Sequence, residues 1–463
     1  MNDSGKHQTV TVARRLADWL VNLEDRPVPD AVARTCRDLL LDYVGLCVAA
    51  RGTDYVHALL AASQEPGSAT LIGHGRRTDL YAAALVNGTA AHGEDFDDTF
   101  EGGPIHSSAV IMPAVLAACE RFGGSGAHAL RGIAAGVELM CRLSLVAPKA
   151  IHKAGFHPTA VIGALAAAAG VGSALRLDRD QLVSALGIAG SMASGIIEYL
   201  SDGSWTKRMH AGWAAQSGIR AALLAQQGFV GPARILEGDH GFFHGFAPSR
   251  DPDFDALLDG LGERWLITTI AFKPYACGTM TQPYVDCAIE LAERGVAPDD
   301  IESILCEVGE GTVHRLWEPL AAKRRPPTPY FGKFSTPYCI AVGFFDRAAG
   351  LAQFTDEKVA DPRIRALAEK VSYVIDPDNP YPKRFTGHLR ATLRDGSVIE
   401  LRRENMRGGA HAPLAPGELE RKFTDNVIYG GLSPERAERM KRAIDGLFGA
   451  SRLSDLGALG GTA

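Results

Sequence analysis

Apolar residues recur at three- and four-residue spacing along most of the chain. Val12, Leu16, Trp19, Leu20 and Leu23 mark one amphipathic helix, and Val32, Cys36, Leu39, Tyr43 and Cys47 repeat the pattern. The stretches 109–122, 133–146, 161–175 and 212–226 are apolar on nearly all sides, which predicts helices buried in a large helical domain. Their many Ala and Gly residues let helix axes approach closely, although Gly lowers local propensity. Near Trp265 the pattern changes. The run 265–272 is β-branched and aromatic, as are 301–308 and 371–375. His388 to Leu393 alternates, turns at Asp395-Gly396 and returns as 398–401, which predicts a hairpin. The stretches 283–294 and 363–370 read as helices between these strands. From Gly417 the chain is helical again. Ser433-Pro434 offers a cap followed by Pro at the first helical position, and Met440, Ile444, Leu447 and Phe448 form an apolar stripe. The expected fold is mainly α: a large all-helical domain from both chain ends (1–265 and 403–463), with a smaller α+β lid domain (266–402) inserted.

Composition narrows the function classes. At 463 residues the chain is too long for one ordinary core, which agrees with two domains. Its 48 Lys+Arg against 54 Asp+Glu give a formal charge of -6, so neither nucleic acid nor an anionic membrane is an expected partner. An anionic substrate would need locally collected cations. The eight cysteines are scattered among apolar neighbours with no Cys-x-x-Cys pair, as small core residues in a reducing compartment would be. The first ten residues are polar and lack an apolar signal core, and the Ala-rich runs are too interrupted to span a membrane, so a cytoplasmic location is expected. Gly-x-Gly-x-x-Gly, Gly-x-x-x-x-Gly-Lys-[Ser/Thr], His-Glu-x-x-His and Gly-x-Ser-x-Gly are all absent. Acid–base chemistry by side chains remains.

Four clusters could carry it. The first is His92-Gly-Glu-Asp-Phe-Asp-Asp-Thr-Phe-Glu101, followed by Gly102-Gly103-Pro104 and His106. If the helix before it continues, His92, Asp95 and Thr99 share one face and aim proton-transfer groups into one cavity. The bland reading is a solvated acidic helix end. A rival reading takes Asp97-Asp98-x-x-Glu101, which is similar to the Asp-rich Mg²⁺ motif of isoprenoid synthases, but no partner motif follows on a later helix. The second cluster is Gly155-Phe-His157-Pro158-Thr159. Pro158 suits a first helical turn, which puts His157 at a helix N-terminus, where the dipole favours a neutral, base-competent ring. In the third, 202–212, Lys207 and His210 stand one turn apart, and a Lys inserted among apolar helices is a candidate carboxylate binder. The fourth surrounds Lys273-Pro-Tyr275-Ala-Cys277 at the predicted domain junction, where a cleft closed by a lid is expected. Cys277 reads as a packing residue there. In 333–338, Tyr338 offers a hydroxyl, against the reading of a core Tyr with a satisfied OH.

Taken as a set, these segments resemble the MmgE/PrpD family over nearly the whole chain. The resemblance rests on 87–99, His106-Ser, Gly155-Phe-His157-Pro, Lys207-Arg-Met-His210-Ala-Gly212, Gly228-Phe-Val-Gly-Pro232 with Leu236-Glu-Gly, and Lys273-Pro-Tyr. It implies a helical domain from both termini with an inserted lid, in a homodimer, with no cofactor and no metal. It further implies a cofactor-independent lyase acting on a small polycarboxylic acid, most simply a hydro-lyase of the 2-methylcitrate dehydratase type. The alternatives are an epimerase of the iminodisuccinate type and a cis-aconitate decarboxylase. Carried over by position, the site would hold Asp95, Thr99, His106, His157, Lys207, Lys273 and Tyr338, with His210 beside Lys207 as a further substrate contact. The implied roles are His157 as general base, His106 with Asp95 as acid, and Lys207 and Lys273 as carboxylate holders. These four side chains, 106, 157, 207 and 273, are expected around one water-poor hollow. The chain departs from the decarboxylases after the junction lysine, where Ala276-Cys277-Gly278 stands without a histidine.

Overall fold

The stretch richest in Ala and Gly becomes the central helix of the helical unit. The computed structural model describes residues 10–103, 105–453 and 456–460; the residues before Val10 and Pro104 of the Gly-Gly-Pro loop lie outside these. The chain divides into two units. One holds the residues up to His92, Gly102–Thr268 and those from Pro434 onward; the other holds Gly93–Glu101 and Thr269–Ser433. The principal helices of the first are α1 (Leu80–Gly93), α2 (Ser108–Phe122), α3 (Gly126–Val146), α4 (Pro158–Ala174) and α5 (Thr206–Gln226). All of α4 is buried, and it packs on α2, α3 and α5. Two glycines permit the approach of α1 to α5. A Cβ on Gly212 would meet the Leu85 carbonyl oxygen at 2.1 Å, and one on Gly88 would meet the Gly212 Cα at 2.6 Å. A short two-stranded pair, β1 (Ala69–Thr70) and β2 (Arg77–Thr78), decorates this unit. Among the described residues no helix is long and apolar enough to cross a membrane.

A buried ion pair anchors the end of this unit. Arg142 on α3 donates Nε–H to Glu138 at 2.6 Å and its remaining N–H groups to the carbonyls of Leu257, Asp259, Gly260 and Arg264. The second Glu138 oxygen accepts the Ile267 N–H at 3.0 Å. Satisfying every donor offsets the desolvation of the pair. It also explains a departure from the sequence expectation. Residues 265–272 do not form a strand: Leu266–Thr269 is a 3-10 turn whose backbone is taken up by Glu138, and only Ile270–Ala271 is extended.

In the second unit, β3 (Thr99–Phe100) pairs antiparallel with β4 (Ile270–Ala271). A four-stranded sheet has the order β6-β5-β7-β8, with β5 (Ile301–Val308), β6 (Val371–Ile375), β7 (Gly387–Leu393) and β8 (Val398–Arg403); β5 and β6 are parallel and the other pairings antiparallel. The expected hairpin forms β7 and β8, and Gly396 takes φ +86° in its turn. Helix α6 (Gln282–Glu293) covers β7 and β8 and packs on α7 (Thr336–Asp346). The expected boundary at 402 differs from the division at 433: α8 (Glu418–Tyr429) lies in this unit, where Lys422 donates to the Phe96 carbonyl at 2.8 Å and Glu418 pairs with Arg407. Pro434–Leu447 opens, as expected, with Pro at its first turn and belongs to the helical unit.

Candidate active site

Four imidazoles meet inside the helical unit. His92 comes from the last turn of α1, His106 from the loop before α2, His157 from the N-cap of α4 and His210 from the first turns of α5. The His92 ring lies 5.0 Å from that of His106 and 5.6 Å from that of His157, centroid to centroid. His157 Nδ1 and His210 Nδ1 are 3.2 Å apart, within hydrogen-bond distance. Tyr199 closes the group edge-on, 6.0 Å from His157 and 5.8 Å from His210. His92, His157, His210 and Lys207 are all buried, and His106 is half-buried.

Local structure explains why these rings converge. Pro158 at the first turn of α4 leaves His157 with extended backbone at the N-cap. The His157 N–H donates to the Gly195 carbonyl at 2.9 Å, and the His106 N–H to the Thr159 hydroxyl at 3.2 Å. The close contact of α1 with α5 at Gly88 and Gly212 brings His92 toward Lys207 and His210.

Electrostatics favour the neutral ring at His157 and at His210. Desolvation lowers the pKa of His157 well below the usual imidazole range, and the neighbouring His92, His210, Lys207 and His106 push it further down. Burial lowers that of His210 to about 4, with His92 and Lys207 adding to the effect. A neutral imidazole at a helix N-terminus beside an ammonium group can accept a proton from carbon once an anion offsets the positive field.

The remaining predicted residues lie in the second unit. Lys273, almost fully buried, donates to the Asp95 carbonyl at 3.0 Å, and its Nζ is 3.8 Å from the Asp95 carboxylate. Asp95 takes φ +55° and accepts a hydrogen bond from the Tyr330 hydroxyl at 3.0 Å. The helix expected to carry His92, Asp95 and Thr99 on one face ends at Gly93. Thr99 instead sits in β3 paired with Ala271, since its backbone bonds to a neighbouring strand rather than to the preceding turn. Tyr338 is buried and donates its OH to the Gln353 carbonyl at 2.7 Å, the satisfied core position weighed from the sequence. Cys277 is a buried free thiol, like the other seven cysteines.

Two residues that the sequence reading passed over stand here. Lys333 pairs with Glu94 at 2.5 Å and donates to its carbonyl at 2.7 Å, while Tyr330 holds Asp95. Lys333 is the first residue of the stretch that contains Tyr338, and Tyr330 lies three residues before it. The acidic triplet of the Mg²⁺ reading is folded in as well: Asp97 and Asp98 are buried, and burial raises the pKa of Glu101, partly offset by His411.

The model of the MmgE/PrpD N-terminal domain matches residues 14–255, and that of the MmgE/PrpD C-terminal domain matches 275–447. The chain belongs to the MmgE/PrpD family. Relatives within reach include a cis-aconitate decarboxylase of Aspergillus terreus (strain NIH 2624 / FGSC A1156), 29% identical over 96% of this chain and 94% of the relative. The cis-aconitate decarboxylase of Mus musculus is 28% identical over 90% and 87%. A mitochondrial 2-methylcitrate dehydratase of Yarrowia lipolytica is 23% identical over 86% and 80%. The imidazole cluster falls inside the matched N-terminal domain of this MmgE/PrpD chain, and Lys333 and Tyr330 inside the matched C-terminal domain.

Proposed function

We propose that this MmgE/PrpD enzyme is a lyase that acts on a small polycarboxylic acid by proton transfer at carbon next to a carboxylate. The carrying observation is the desolvated cluster of His92, His106, His157 and His210 with Lys207. His157 is the general base, His106 the acid and Lys207 a holder of substrate carboxylate. Lys273 with Asp95, and Thr99 nearby in sequence, are assigned to the same reaction as substrate contacts.

Elimination and decarboxylation share a demand. Negative charge develops on carbon beside a carboxylate, and a fixed ammonium in a dry setting stabilises it. In a dehydration the C–H proton passes to His157 Nε2, and the leaving hydroxyl departs as water with a proton from His106. In a decarboxylation the C–C electron pair stays on carbon as CO₂ leaves, and that carbon takes up a proton. The relatives named as decarboxylases match more of their own length at higher identity, which favours carbon–carbon lysis as the finer reading. Dehydration, the simplest expectation from the sequence, is the second reading, supported by the more distant relative.

The test is to incubate the enzyme with cis-aconitate, citrate, 2-methylcitrate and an amino-diacid in D₂O, following CO₂ release, alkene absorbance and C–H exchange. CO₂ with exchange supports the first reading, and alkene formation without CO₂ the second. Well-placed acid–base groups give about 10²–10⁴-fold each, so His157→Ala and Lys207→Ala should each remove most turnover without unfolding the protein. Near-wild-type turnover in either variant refutes its role.

A further inference from the structure

We propose that His210 is a positioning residue: it accepts a hydrogen bond from His157 Nδ1–H and thereby fixes the tautomer in which His157 Nε2 is an open lone pair. The inference deepens the reading of His157 as general base and rests on it.

A hydrogen bond between two ring nitrogens 3.2 Å apart requires one N–H and one lone pair. Both rings are buried and are held toward the neutral form, each with a single N–H. Two arrangements of the pair are then possible. If His210 donates, the Nδ1 lone pair of His157 is consumed and its Nε2 carries the hydrogen, so His157 has no basic atom left. If His157 donates, its Nε2 keeps the lone pair and His210 carries its own hydrogen on Nε2. Only the second arrangement leaves a base. Among the described residues neither Nε2 atom has a hydrogen-bond partner, so the Nδ1 contact is the one bond that can choose between tautomers.

The contact also serves the protonated state. When His157 takes a proton on Nε2 it becomes imidazolium, and its Nδ1–H already points at a neutral acceptor. The bond becomes charge-assisted and strengthens as the charge forms. A carboxylate does this in a serine-hydrolase triad. Here a neutral imidazole does it, which avoids adding a fixed anion near a site that collects anions.

The surrounding backbone holds this geometry. Gly195 takes φ +126°, and a Cβ there would meet the Ala160 Cβ at 2.6 Å and His210 Nδ1 at 3.3 Å. The same residue accepts the His157 N–H. One glycine thus fixes the backbone of the base and leaves room for its partner ring. The groups facing the pair are His92 from α1, His106 from the loop before α2, Lys207 from α5 and Tyr199.

The test begins with ¹⁵N-histidine NMR of the resting wild-type enzyme at pH 8, which needs no substrate and no variant. The expected spectrum shows His157 protonated on Nδ1 and bare on Nε2; the opposite tautomer overturns the proposal. Two substitutions follow. His210→Asn keeps an acceptor oxygen near the place of Nδ1, whereas His210→Leu keeps none. His210→Leu should lose about 10²-fold in kcat with KM nearly unchanged, and His157 should move to the Nε2–H tautomer. His210→Asn should recover most of that loss and the wild-type tautomer. Equal activity of the two variants overturns the positioning role. Should His157→Ala remain active, the general-base reading falls instead, while the NMR result still reports on the pair.

Discussion

Lowering the pH should destabilise the helical unit through His210, by an amount that its environment sets. The ring's pKa falls from the ordinary 6.5 to about 4 on folding, first because of burial and then because of His92 and Lys207. A depressed pKa means that the unfolded chain binds the proton first. Stability is therefore full above the unfolded value and is lost as pH falls through the window from 6.5 to 4. Between pH 8 and pH 5 this one group costs about 2 kcal/mol, from the ratio of its proton binding in the two states. For a unit of this size that corresponds to roughly 4 °C in Tm. His157 shifts in the same direction and adds to the loss; His74, also lowered to about 4 chiefly by burial, does so elsewhere in the unit. The assay compares wild type with His210→Asn, which cannot titrate, in thermal scans at a fixed rate at pH 8 and pH 5. The variant should lose less Tm between the two pH values by the amount above. An identical loss in both proteins would show that the ring is not held neutral in the folded state.

Three further outcomes follow from packing. Gly212→Ala forces α5 away from the Leu85 carbonyl, and overpacking of this kind costs about 1–3 kcal/mol; Tm should fall and kcat should drop more than KM rises, whereas unchanged kcat would detach the helix contact from the site. Glu138→Ala strands the Arg142 guanidinium and should cost about 3–5 kcal/mol, read by urea denaturation; a loss below about 1 kcal/mol would mean that the backbone carbonyls alone satisfy Arg142. Lys333→Met removes the buried ammonium that pairs with Glu94, so it should lower the urea midpoint of the second unit more than Arg294→Met, whose more exposed i,i+4 pair with Glu290 contributes about 0.3–0.5 kcal/mol.

The parts of the site that could be read from the chain are those written in local rules. Pro158 before an Ala-rich run places His157 at a helix start, and the spacing of Lys207 and His210 puts them on one turn; both depend on neighbours within a few residues. The segment after His92 obeys no such rule. Asp95 adopts a left-handed backbone and Thr99 joins a strand whose partner is Ala271, so helical periodicity carried the reading past the true end of α1. Trp265 to Phe272 has the composition of a strand, yet a carboxylate on α3 takes the backbone of Ile267. Lys333 and Tyr330 bond to Glu94 and Asp95, more than two hundred residues earlier in the chain. Nothing local distinguishes Tyr330 from Tyr338, since one hydroxyl meets a carboxylate and the other a main-chain carbonyl only after folding.

A base whose affinity for protons is suppressed at rest suits a polyanionic substrate. The chain carries a net charge of -6, so a polyanionic ligand must be recruited locally; in the proposed reading Lys207 does this, and its charge also repels protons from His157 and His210. A carboxylate arriving about 5 Å from an imidazole in a medium of effective dielectric about 20 contributes roughly 3 kcal/mol. That equals about two pKa units, comparable to the depression of His210. The substrate's own charge therefore acts against the depression that burial and Lys207 impose on these rings. On the proposed reading, a di- or tricarboxylate raises the proton affinity of these rings more than a monocarboxylate does. Selectivity for polycarboxylic acids then resides in proton affinity as much as in the number of salt bridges the ligand makes.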